Sequence, residues 1–160
     1  MAKKKKLSAM STESFAAQEV SKEEKLIRIR VLIVCEGTKT EPNYFKSFSK
    51  VQKGIFVYDI TTEGGGINTD KVVSEAIKHK VKAEAEGNPY DSVWAVFDKD
   101  SFPDNKFDTA INNAFDHHIG CAWSNEAFEL WYVLHFDNRI TPMSRKDYQK
   151  VITERVKCLW

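Results

Sequence analysis

With 160 residues, 42% of them hydrophobic and 29% charged, the chain has the size and composition of one globular domain able to bury a core without disulfide staples. Its formal charge of +1 argues neither for nor against a nucleic-acid partner, so any basic surface has to be local. The apolar runs are too short to span a membrane, the basic start "MAKKKKLSAM" lacks the apolar core of a secretory signal, and three scattered cysteines, Cys35, Cys121 and Cys158, fit reduced thiols in a cytoplasm and exclude a paired-cysteine zinc site.

Residues 1–24 mix lysine, serine, alanine and acid with little apolar periodicity and read as a flexible basic and polar tail; residues 25–160 read as a single domain. "LIRIRVLIVC" opens with alternation and turns continuously apolar, the pattern of a strand buried on both faces in a parallel sheet. "TEPNYFKSFSKV" follows as a helix, with Thr40 as its cap and Pro42 tolerated in the first turn. "IFVYDITT" is a second strand, and "NTDKVVSEAIKHKVKAEAEG" a long amphipathic helix closed by Gly87. "DSVWAVFDKD" is a third strand, "DNKFDTAINNAFDHH" a third helix, and "IGCAWS" a short fourth strand. "EAFELWYVLHF" and "SRKDYQKVITERVK" supply two more helices. Strands alternating with helices give a doubly wound α/β fold: a Rossmann-like open sheet of about four mainly parallel strands flanked by helices.

Ligands of such sheets sit beyond the carboxyl ends of the strands. The first strand delivers Glu36 there, the third Asp98 and Asp100, and the fourth Ser124, Asn125 and Glu126. In "FDKD", residues two apart point the same way while the chain stays extended, so Asp98 and Asp100 converge and Lys99 turns away. Three facing carboxylates repel unless a cation stands between them. Oxygen donors without a Cys or His cluster select a hard ion, Mg²⁺ or Mn²⁺, usually shared with a phosphate. A lone acid after a strand is more often a helix cap or a surface ion partner; acids at the ends of two strands of one sheet carry more weight. "CEGTKTEP" has neither the spaced glycines of a dinucleotide fingerprint nor a Walker lysine.

Softer candidates surround these acids. "TTEGGGINTD" places Gly65 within a glycine run before a helix, where backbone amides suit a phosphate as readily as a plain turn. Lys39 and Lys99 stand beside the acids as possible phosphate contacts, although lysines in loops are commonplace. His117 and His118 end a helix, where its dipole accounts for them. Phe128, Trp131, Tyr132 and Phe136 have helical spacing and read as core before they read as a base-stacking platform.

A strand ending in "EG" and a later strand ending in Asp-x-Asp resemble the Toprim domain of topoisomerases, primases and OLD-type nucleases. More narrowly, "VLIVCEGTKTEPNYF", "VWAVFDKD" and "SNEAFELWYVLHF" resemble the RloB-like family of restriction-modification and phage-defence loci, over roughly Arg28 to Phe136. The resemblance implies that Glu36, Asp98 and Asp100 are the catalytic and metal-binding carboxylates. Ser124, Asn125 and Glu129 match the last motif, whereas Glu126 has no role carried over. A longer C-terminal helical region is expected of the family than "RVKCLW" leaves here.

The implied activity is Mg²⁺- or Mn²⁺-dependent hydrolysis of phosphodiester bonds in DNA or RNA, with Gly37 allowing the substrate backbone to approach. A topoisomerase needs a nucleophilic tyrosine on a further domain, and a primase needs template and nucleotide sites; no motif here supplies them. The implied setting adds an ATPase encoded nearby as a partner and no membrane. Two other readings use the same residues: a non-catalytic module regulating a defence complex, and an enzyme acting on a small-molecule phosphate or nucleotide.

Overall fold

The computed structural model describes residues 26–48, 51–53, 56–65, 68–99 and 104–158. The tail expected over residues 1–24 lies outside them, as does Asp100. The described elements are β1 (Ile27–Cys35), α1 (Thr40–Lys46), β2 (Val51–Lys53), β3 (Phe56–Gly64), α2 (Thr69–Ala85), β4 (Ser92–Lys99), α3 (Asp104–Asp116), β5 (Gly120–Asn125), α4 (Glu129–Leu134) and α5 (Arg145–Lys157).

They form one sheet in the order β2-β3-β1-β4-β5. Four strands, β3, β1, β4 and β5, run parallel, and β2 adds a short antiparallel edge by pairing Val51 with Tyr58 and Lys53 with Phe56. The expected α/β open sheet is therefore present, with one strand more than its sequence pattern suggests. α1 stops at Lys46, and Val51, the last residue of its expected apolar pattern, belongs to that edge strand.

The chain moves from β1 to β3 in one direction, then back across β1 to β4 and on to β5. Right-handed crossovers that reverse direction put their helices on opposite faces, and the cores agree. Leu32 and Val34 of β1 with Val93, Ala95 and Phe97 of β4 pack under Val72, Val73 and Ala76 of α2 and Phe107, Ala110 and Ala114 of α3. Ile33, Cys35 and Val96 face the other side, against Tyr44 and Phe45 of α1, Phe128, and Tyr132 of α4. Near-continuous apolar runs in β1 and β4 follow from this two-sided cover. A third cluster, Ala127, Val133 and Tyr148 with Leu130, Val151 and Ile152, fastens α5 onto α4.

Helix ends obey local chemistry. Gly87, at φ +70°, takes the left-handed position after α2, as its glycine suggests. Thr40 is the first residue of α1 and does not cap it: the cap position is Lys39, without a side-chain hydrogen bond. Ser144 and Asp147 form a reciprocal capping box at the start of α5. His117 lies just past α3, its Nδ1 2.8 Å from the Asn113 carbonyl, which serves the orphan acceptors of the last turn. Among the described residues no helix is long and apolar enough to cross a membrane.

Candidate functional site

β1 and β4 are hydrogen-bonded neighbours, and from this pair the chain departs to opposite sides of the sheet. A crevice opens at such a switch point, beyond the strand ends. Glu36 is the first residue after β1, and its amide extends the ladder by donating to the Val96 carbonyl at 2.9 Å. Its carboxylate turns toward β4, where Oε2 accepts the Asp98 N–H at 3.0 Å. Asp98 shares the face of Val96, as a period of two requires. Lys99 turns to the opposite face, its ammonium 5.0 Å from the centroid of the Phe107 ring.

A further acid comes from the first turn of α1. Glu41 is only 6% exposed, and its Oε1 accepts the Gly37 N–H at 3.2 Å. A Cβ on Gly37 would collide with this carboxylate, so the glycine permits a close approach of Glu41. Gly64 has a similar task at the end of β3, where an added Cβ would come within 2.6 Å of the Gly37 carbonyl oxygen.

Glu36, Gly37, Thr40, Glu41, Asp98, Phe128, Glu129 and Arg145 line one pocket of about 290 Å³. Its electrostatics are unbalanced toward acid. Burial, then the negative charges of Glu41 and Glu36, raise the Asp98 carboxyl from its ordinary 3.8 to about 7, against the opposing pull of Arg145 and of the Phe128 backbone N–H. Arg145 is the counter-charge: one guanidinium nitrogen lies 3.4 Å from Asp98 Oδ2. The other oxygen, Asp98 Oδ1, is buried without a hydrogen-bond partner among the described residues. Cys35, beneath the same strand end, has its thiol pushed up to about 12 by burial and Glu41, so it is inert.

The other expected residues are distributed unevenly. Glu129 opens α4 on the pocket wall, its Oε1 accepting from Gln149 Nε2 at 3.3 Å. Ser124 is buried, and its Oγ accepts the Trp131 indole N–H at 2.9 Å, a structural bond. Asn125 and Lys39 are exposed and do not line the pocket. Glu126, at φ +64°, accepts the Arg145 amide through Oε2 at 3.1 Å. Gly65 lies in a separate depression with Glu63, Lys71, Glu75 and His79, on the α2 side, so it is not brought into the acid pocket. The aromatic group divides: Phe128 is core, while Trp131 and Phe136 are exposed.

Glu41 and Arg145 escape a reading of the sequence for understandable reasons. An acid in a first helical turn looks like a dipole partner. The Arg145 contact joins residues 47 positions apart, which no local pattern announces.

Hard oxygen donors and an orphaned buried carboxylate oxygen suit a divalent cation in kind. Among the described residues, no three His, Cys, Asp or Glu side chains gather closely enough to hold one. Asp100, the third expected ligand, is outside those residues. A family model described as RloB-like protein matches residues 31–158, spanning the pocket and α5. No curated protein and no solved structure matches the chain.

Proposed function

The chain belongs to the RloB-like family, and from that premise we propose that its acid pocket is the centre of a divalent-metal-dependent nuclease of Toprim type, hydrolysing DNA or RNA in phage defence. One observation carries this reading: Glu36 and Asp98 meet at the carboxyl ends of adjacent parallel strands, joined by the 3.0 Å bond from the Asp98 amide to Glu36 Oε2. Glu36, Asp98 and Asp100 are the residues that would hold Mg²⁺ or Mn²⁺, which when bound would polarise a phosphoryl oxygen and neutralise charge in the transition state.

The chain's own groups prepare that chemistry. The Asp98 amide orients the Glu36 carboxylate in advance, so little reorganisation accompanies substrate entry. Asp98 is held beside Glu41 and Glu36 with Arg145 as its counter-charge at 3.4 Å, and a divalent cation would add compensating charge to this cluster of carboxylates. Glu129 borders the site from α4, and Arg145 offers the cationic contact that an anionic substrate requires.

The experiment is cleavage of mixed single- and double-stranded DNA and RNA with Mg²⁺ by wild type and Glu36→Gln, each checked for folding by circular dichroism. The amide keeps the size and one acceptor of the carboxylate but not its charge or basicity. Cleavage is expected to fall by about a hundredfold or more. A variant as active as a cleaving wild type would make Glu36 structural.

A further inference from the structure

Arg145 is the first residue of α5, and its backbone is firmly held. The Arg145 N–H donates to Glu126 Oε2 at 3.1 Å, and the preceding Ser144 closes the capping box with Asp147. The guanidinium is held less firmly. A single nitrogen is shared between the Glu126 carbonyl at 3.1 Å and Asp98 Oδ2 at 3.4 Å. A well-made charge-assisted bond is shorter, at about 2.7–2.9 Å. The Arg145 side chain is 54% exposed, while Asp98 is 15% exposed. A cation with a fixed base and a loosely tied tip therefore stands at the mouth of a pocket whose other charged lining residues are carboxylates.

Two demands meet at this one contact. A divalent cation taken up by Asp98, even through its unpartnered Oδ1, would lie close to the guanidinium that now stands 3.4 Å from Oδ2, and like charges repel at that range. An anionic phosphate approaching the same pocket meets Glu36, Glu41 and Glu129, and needs a positive partner on the wall. The guanidinium has five N–H donors in a planar fork suited to phosphate oxygens. We propose that Arg145 exchanges partners: it neutralises Asp98 while no divalent cation is bound, and turns to a substrate phosphate once the cation takes Asp98. This exchange rests on the metal-dependent reading above and adds to it a substrate contact and a built-in competitor for the ion.

The test is two titrations on the whole chain. Mn²⁺ affinity is measured by calorimetry, and affinity for fluorescein-labelled single-stranded DNA and RNA is measured by anisotropy in Ca²⁺. Arg145→Ala should bind Mn²⁺ about two- to fivefold tighter, the range expected for losing a partly exposed ionic competitor. It should bind oligonucleotide about tenfold weaker or worse. A purely structural arginine would give no such opposite signs. Arg145→Gln, which keeps much of the side-chain length, repeats the comparison should the alanine variant unfold. Mn²⁺ affinity unchanged or weakened in a folded variant, or oligonucleotide affinity retained, would overturn the exchange and leave the metal site standing. A wild type that binds no Mn²⁺ would overturn both, and a wild type that binds Mn²⁺ but neither oligonucleotide would overturn the exchange.

Discussion

The two faces of the sheet are covered very differently. On one, α2 and α3, of 17 and 13 residues, lie over the strands as helices of about 25 and 20 Å. On the other, α1 and α4 have 7 and 6 residues, about 10 Å each, and cannot roof strands of eight or nine residues. The long pair seals a continuous apolar core. The short pair leaves an apolar groove floored by Val31, Ile33, Val96 and Ala122 and, beyond it, the acid pocket. Stability is thus concentrated on one face, and the other keeps the open edge that chemistry needs.

Strand β4 allows the difference to be measured with two aromatics on opposite sides. Phe97 is fully buried and packs edge-on against Phe107, with ring centroids 5.7 Å apart. Phe97→Ala should cost about 3–5 kcal/mol in urea denaturation. Trp94 is 40% exposed in the groove, and Trp94→Ala should cost about 1–2 kcal/mol, since much of its area is already wet. Equal losses would erase the contrast between the faces.

Gly37→Ala tests how tightly the open face is built at one of its crowded points. The new methyl meets the buried Glu41 carboxylate, and either that side chain or the loop must move. A loss of about 1–3 kcal/mol is expected. Glu41→Ala in the same chain should relieve most of the clash, and a double variant no more stable than Gly37→Ala would refute that source of strain.

The smallest effect concerns pH. Because the Asp98 value in the folded protein, about 7, lies above its ordinary 3.8, the folded state keeps the proton longer than the unfolded state does. The contribution of this group is fully present below about pH 4 and is lost as pH rises through about 7. Metal-free Asp98→Asn carries no such loss. It should exceed wild type by roughly 1 kcal/mol at about pH 8, after allowance for solvent screening in the open pocket, and the two should converge toward about pH 4. A difference that does not change with pH would mean that Asp98 ionises without penalty.

How much of this was legible in the sequence follows the same division. The sealed face follows from periodicity: β1, β4, α2 and α3 occur where their patterns put them, because one buried stripe or two buried faces leave a regular trace. The open face is less regular. The apolar pattern of "TEPNYFKSFSKV" and "EAFELWYVLHF" runs past the ends of α1 and α4, and Phe48 and Phe136 lie exposed beyond the helices. β2 has three residues, too few for an alternation to register. Glu36 and Asp98 are legible because each ends an apolar run, and Lys99 because a strand alternates. Glu41 and Arg145 are placed by tertiary contacts with Gly37 and Asp98, to which no spacing rule applies.

Under the proposed function, Glu36 and Asp98 form one side of a divalent-cation site. Crystals soaked in Mn²⁺ and measured for anomalous scattering test it directly, with Asp98→Asn crystals as the partner data set. The expected result is an anomalous peak in contact with the Glu36 and Asp98 carboxylates in the wild type, and its loss in the variant. An empty pocket in the presence of excess Mn²⁺, or a peak that survives unchanged in Asp98→Asn, would contradict it.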